Sequence, residues 1–419
     1  MLGLILGGSV AFQACSSDSN SGKTATGGEA GAAGEAGSGA TAPSEAGATG
    51  EAGAAGSPSA GAPVPLNPQA VVVTAADATT SSHLLVANTD FTTATAVSSV
   101  ALDTGKIEGT AAFADKDGIA FSSAGLGFTI ERTNDKIDLL DGSAIKTTFD
   151  LKDLGNGDAV ALADKAYVPL LQQSLITVLD LKAGTVSSRI DLSKYNDPGD
   201  SDGSADIGAA VYDSSKKIAY FVLGRIDFAT FDAAGHLPCS TTKALIVAID
   251  ATSDAVIDLN GDADGEAAEL SLTNPSSVSL AADGSLVVLA DGCYTGTTLK
   301  NSGVEVVDTT TGLSQVVYAS KSGDFLGKLI LTGASNALLG TFDSNFTAHW
   351  YKLDLTAGKL GAELTGVPDA VSFDGTNLLG VDTTGAVVSY DPATGKSTAV
   401  SKTTWAGKYT STGSTALVK

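Results

Sequence analysis

Val306-Val307-Asp308-Thr309-Thr310-Thr311-Gly312 is an apolar strand that stops at an aspartate, passes through three threonines and closes on a glycine. Aspartate accepts hydrogen bonds from the backbone of a tight turn and glycine supplies positive φ, so this stretch predicts a β-hairpin. The same design recurs upstream as Val100-Ala101-Leu102-Asp103-Thr104-Gly105, Ile137-Asp138-Leu139-Leu140-Asp141-Gly142, Val178-Leu179-Asp180-Leu181-Lys182-Ala183-Gly184 and Ala248-Ile249-Asp250-Ala251-Thr252-Ser253-Asp254. Downstream it returns as Lys352-Leu353-Asp354-Leu355-Thr356-Ala357-Gly358 and Ser389-Tyr390-Asp391-Pro392-Ala393-Thr394-Gly395, which makes seven copies. A second hairpin lies between the copies, clearest in Ser277-Val278-Ser279-Leu280-Ala281-Ala282-Asp283-Gly284-Ser285-Leu286-Val287-Val288-Leu289. Its relatives run from Ala209 to Val222 and from Ala370 to Val381. Two hairpins per repeat give four strands, and a period of roughly 35 to 45 residues is that of propeller blades. The expected fold is all-β: a seven-bladed β-propeller of four-stranded antiparallel blades.

The Asp-x-x-Thr-Gly hairpins paired with Asp-Gly hairpins resemble those of the YVTN-type β-propellers, over roughly residues 70 to 402. That resemblance implies a binding or scaffold protein and carries no functional residue with it, because its motifs are structural.

Ahead of the repeats, Leu2 to Phe12 is a short apolar run ending in Gln13-Ala14-Cys15, with a polar stretch after it. The run has the length of a signal-peptide core and is too short to span a bilayer comfortably. A small residue before Cys15 resembles the lipobox of bacterial lipoproteins, which implies lipidation of that cysteine; the other reading is an ordinary signal peptide followed by an incidental cysteine. Ser16 then resembles an outer-membrane sorting residue. From Ser16 to about Pro65 the sequence is dominated by Ser, Gly, Ala, Glu and Pro and almost lacks large apolar side chains, a composition that cannot offset the entropy of ordering. As a flexible tether it would reach about 40 Å. The domain plan is therefore residues 1–15 as lipoprotein signal, 16–66 as disordered tether and 67–419 as propeller. The whole layout resembles propeller lipoproteins of Gram-negative bacteria, some of which act beside outer-membrane uptake receptors. It implies a lipid-anchored outer-membrane location, facing periplasm or cell surface.

The chain carries 47 acidic and 24 basic residues, a formal charge of -23, with no basic stripe. Nucleic acid and anionic lipid are poor partners for such a surface. His83, His236 and His349 sit in different repeats, and no Gly-x-Ser-x-Gly elbow, phosphate loop or dinucleotide fingerprint stands out. No catalytic residue is assigned.

In a propeller blade the loop between the second and third strands and the crossover to the next blade emerge on one side of the disc. Cys239 and Cys293 both fall in second-to-third loops of adjacent blades. With Cys15 lipidated they form an even pair in an oxidising compartment, and a disulfide between them is expected. Free thiols are the alternative; a zinc site would show closer cysteine spacing. Two acidic insertions, 196–206 and 258–269, are placed on crossovers to the same face. The second offers Asp258, Asn260, Asp262, Asp264 and Glu269 at alternating positions and the twelfth, a pattern similar to a calcium loop, although Ala263 stands where such a loop has its sixth-position glycine. The competing reading is a solvated acidic turn; any Ca²⁺ there would be structural.

Asp158, Asp206, Asn274, Asp324 and Asp369 precede or begin inner strands from that side, and would form a polar ring at the channel mouth. Such a ring either hydrogen-bonds blades together or receives a cationic or polar ligand. Phe228, Phe231, Tyr294, Phe342 and Phe346 lie in or beside the long loops and would wall a pocket above it. Three functions remain open. The first is non-catalytic binding of a small molecule or envelope protein, such as an outer-membrane receptor, by a monomer. The second is a metal-dependent lactonase or hydrolase using a channel-mouth cation, and the third is a purely structural envelope component.

Overall fold

A computed structural model describes residues 82–89, 94–152, 159–170, 172–199, 201–232, 236–259, 267–320, 325–343, 347–382, 384–401 and 411–419. The signal, Cys15 and the tether therefore lie outside the described residues, as do Asp158, Asn260, Asp262, Asp264, Asp324 and Phe346.

The protein is an all-β propeller of seven four-stranded antiparallel blades. Blade 5 shows the plan: Pro275–Leu280 is innermost, then Leu286–Ala290, Gly303–Val307 and, at the rim, Ser314–Ala319. Successive inner strands lie side by side around the centre. Every copy of the Asp-to-Gly signature turns the third strand of its blade into the outer one, and the Asp-Gly hairpins turn the first into the second. In blade 5 the Asp308 carboxylate accepts from the Thr310 N–H at 2.7 Å, and Gly312 takes φ 69°. In blade 4 Asp254 replaces the glycine and adopts φ 59°. Asp254 links two blades: its carboxylate accepts from Lys165 Nζ at 2.6 Å and Tyr167 Oη at 2.5 Å, both on the second strand of blade 3.

Seven apolar clusters fill the seven interfaces between neighbouring blades, including the one between blade 7 and blade 1. The middle strands are therefore buried on both faces and read as unbroken apolar runs. In Leu286–Ala290, Leu286 and Val288 pack toward blade 4 while Val287 and Leu289 pack toward blade 6. Outer strands show the opposite composition: Lys396–Ala399 is exposed throughout.

The ring closes through Ser411–Val418, which pairs with His83–Thr89 as the inner strand of blade 1. The Ser414 hydroxyl also accepts from the Ala120 N–H of blade 2 at 2.7 Å. Residues 402–410, which precede this closing strand in sequence, lie outside the described residues.

The second acidic insertion sits elsewhere than the crossover assigned to it. Ala255–Ile257 pairs with Ala248 to Asp250, and Ala267–Glu269 pairs with Leu245 to Val247 on that same third strand of blade 4. Both described flanks of the insertion are therefore part of the outer strand of blade 4, while 260–266 lie outside the described residues.

Candidate functional site

The long loops gather on one face, as the antiparallel connectivity requires. Residues 224–244 connect the second and third strands of blade 4, and 291–302 do the same in blade 5, where Cys293–Thr295 and Thr298–Lys300 form a small projecting hairpin. Cys239 and Cys293 are disulfide-bonded across these two loops, with Cα atoms 4.8 Å apart. The bridge is reinforced by backbone bonds, Cys239 N–H to the Tyr294 carbonyl at 3.0 Å and Tyr294 N–H to the Leu237 carbonyl at 2.7 Å. Gly292 makes the hairpin possible: its φ is 86°, and a Cβ there would lie 2.3 Å from the Lys300 carbonyl oxygen.

The first acidic insertion, on the crossover from blade 3 to blade 4, docks against the same loop. The Thr242 hydroxyl donates to Asp197, the Phe228 N–H donates to Asp202 at 3.1 Å, and the Ser201 hydroxyl donates to Asp227 at 2.7 Å. The carboxylates of Asp197 and Asp202 are thus engaged with the protein's own donors and serve to shape the loop. Hydrogen bonds from Thr242 and Gly199 hold Asp197 below the usual carboxylate range.

Aromatic rings are distributed in two groups. Phe228 and Phe231 stack at 5.6 Å between centroids. Tyr294 stacks on His236 at 4.1 Å and lies 6.3 Å from Phe325, the first residue of the inner strand of blade 6. Phe342 is paired with Phe325 across that blade and lays its ring over Gly327. His236 is itself held by Asp232, Nδ1 to Oδ2 at 3.1 Å. Burial, and then Asp232 and Asp291, push the Tyr294 phenol up.

Of the proposed polar ring, Asp206 and Asn274 occupy equivalent places immediately before the inner strands of blades 4 and 5. Both have left-handed backbones, φ 51° and 55°, and their carbonyls accept from Gly224 N–H at 2.8 Å and Asp291 N–H at 2.9 Å. Asp206 is 1 % exposed and its Oδ2 accepts from the Ile226 N–H at 2.7 Å, so it anchors its own blade's long loop. Asp369 begins the inner strand of blade 7, paired with Val381. Asp258 directly follows the outer-strand segment Ala255–Ile257, and Glu269 is exposed on the outer strand. Among the described residues no group of three or more His, Cys, Asp or Glu side chains is placed to hold a metal ion.

Sequence reasoning missed Asp291, the residue immediately after the second strand of blade 5. Its Oδ1 accepts from the Ser276 hydroxyl at 2.8 Å, and burial raises its pKa to about 7. Asp291 is half-buried. His236 and Phe325 were also overlooked as part of the aromatic group; only the fold brings them to Tyr294.

No protein-family model matches the chain, and no curated protein matches it. Similar solved structures are propellers. One, from Bacteroides fragilis and provisionally described as a 6-phosphogluconolactonase, is 14% identical over 82% of this chain and 98% of its own, with a TM-score of 0.54. Another of the same description, from Bacteroides uniformis, is 12% identical over 76% of this chain and 95% of its own, with a TM-score of 0.51. At these identities the likeness is one of fold.

Proposed function

We propose that this chain is a cell-envelope lipoprotein, anchored through Cys15 to the outer membrane, whose propeller binds a small molecule or protein partner without transforming it. The observation that carries this reading is the stapled face: two long loops from adjacent blades, bridged by Cys239–Cys293, hold an aromatic group beside a buried carboxylate. A disulfide of this kind persists in oxidising compartments, which supports export. Ser16 and the tether-like composition of 16–66 support anchoring clear of the lipid surface, and the segment from Asp258 to Glu269 would hold a structural Ca²⁺ at the rim, on the strength of its oxygen spacing.

The test places a photo-crosslinking residue at exposed Thr297 on the projecting hairpin or at Thr310 on the opposite face, in full chain produced in a Gram-negative host with labelled palmitate. Label that disappears in Cys15→Ser, with a discrete adduct from position 297 and none from 310, is expected. Equal adducts from both faces would reject the stapled face as the binding surface. A second reading is a lactonase, favoured by the fold likeness to the two Bacteroides proteins; chelator-sensitive hydrolysis of 6-phosphogluconolactone would establish it over the binding reading.

A further inference from the structure

The top of blade 5 concentrates polar atoms that the protein itself leaves unsatisfied. Thr273 Oγ1, Asn274 Oδ1, Ser277 Oγ, Ser302 Oγ and Ser320 Oγ are all buried and without a hydrogen-bond partner. They belong to segments tied directly to Asp291 and Gly292. The Asn274 carbonyl accepts the Asp291 N–H, and the Thr273 carbonyl accepts the Gly292 N–H at 2.9 Å. Ser302, 5 % exposed, occupies the space that a Cβ on Gly292 would need, and its carbonyl accepts the Ser320 N–H. Buried polar atoms ordinarily find a partner, so five in the segments that meet at Asp291 and Gly292 indicate a site for something with several donors.

The charge of that something follows from Asp291. Among the described residues its side-chain partner is the Ser276 hydroxyl, and no cationic residue there acts on it. A carboxyl group in such a place either keeps its proton or is complemented by a positive ligand. Asp232 adds a second negative charge near Tyr294. The rings of Tyr294 and Phe325 give one side of the site an aromatic wall, and aromatic faces attract cations.

We propose that blade 5 binds a protonated primary amine at its junction with blade 6, with Asp291 as counter-ion, Asn274 Oδ1 and the neighbouring hydroxyls as acceptors, and Tyr294 and Phe325 against the alkyl chain. An ammonium group has three N–H donors, which matches a carboxylate flanked by several unsatisfied oxygens; a quaternary ammonium has none. The inference rests on the stapled face being a binding face and specifies its ligand class.

Calorimetric titration of the full chain with butylammonium chloride at pH 7.5 tests it, with tetramethylammonium chloride as the comparison. Saturable binding of butylammonium is expected, at least about tenfold tighter than tetramethylammonium, and weakened at least about tenfold by Asp291→Asn. Tyr294→Leu, which spares the buried turn, should weaken it several-fold, so the conclusion survives a poorly folding Asp291→Asn. Absence of butylammonium binding, equal affinity for the two cations, or unchanged affinity in both variants would overturn the proposal. So would a crystal structure grown with butylammonium in which ordered waters alone meet these oxygens. An adduct at Thr297 together with any of these failures would leave the binding face standing and remove only the amine.

Discussion

Replacing Cys239 and Cys293 together by serine removes a cross-link between residues 54 apart in sequence. The loop-closure entropy that such a link takes from the unfolded chain is worth about 4 kcal/mol. The native state loses little else, because the backbone bonds joining Cys239 and Leu237 to Tyr294 do not depend on the sulfurs. With an unfolding entropy of about 2.1 cal/mol/K per residue, a propeller of this size should melt about 6 °C lower in the double variant. The measurement is thermal unfolding followed by circular dichroism and tryptophan fluorescence, with coincident transitions required before a single free energy is assigned. A double variant that melts within about 1 °C of the oxidised protein would refute the argument, since the bridge would then constrain nothing that the unfolded chain explores.

Three further outcomes follow from other residues. Asp291 is raised from 3.8 to about 7 by burial, so the folded protein holds a proton there that the unfolded chain releases between those values. Stability contributed by this site is intact below about pH 4 and declines as pH rises toward 7, by at most about 4 kcal/mol. Asp291→Asn should therefore flatten the decline, which urea titrations at pH 4.5 and 8 will show; a steeper decline in the variant would contradict the sign. His349 is raised above 6.5, chiefly by the Glu363 carboxylate 2.8 Å from Nδ1, with Asp343 adding to it. Its contribution is present below pH 6.5 and lost as pH climbs through the raised value, so an NMR titration should find His349 above 6.5 in the wild type and lower in Glu363→Gln. Glu305 is wholly buried and accepts from the Ser271 and Leu272 N–H groups at 2.8 and 3.0 Å. Glu305→Leu strands both donors and should cost about 3 kcal/mol in urea unfolding; a loss under about 0.5 kcal/mol would mean that water reaches them.

The repeats were legible because one requirement, a tight turn from third to outer strand, was met seven times with an aspartate and six times with a positive-φ glycine. The inner hairpins were legible only where an Asp-Gly or similar pair marked them. In blade 3 the inner strand is just Val160–Ala161, too short to carry any alternation. The cysteine pair could be read because parity and face placement agreed. Asp291 could not, since an aspartate followed by glycine reads as an ordinary turn until burial and the absence of a cation are known. Nor could the place of the second acidic insertion: the sequence shows the acids, while only the pairing of both flanks, Ala255–Ile257 and Ala267–Glu269, with one strand takes it off the crossover.

Closure by Ser411–Val418 also sets an order of events. Ala120 and Ser414 are joined although 294 residues separate them. Blades 2 to 7 can each assemble from contiguous chain as it is made, but His83–Thr89 must hold an open edge until the last strand arrives. During that interval the molecule is an arc of stacked sheets with two sticky ends, able to pair with a second arc as readily as with itself. The slowest and most concentration-sensitive moment in its biogenesis should thus be the last one, when a ring forms from an arc.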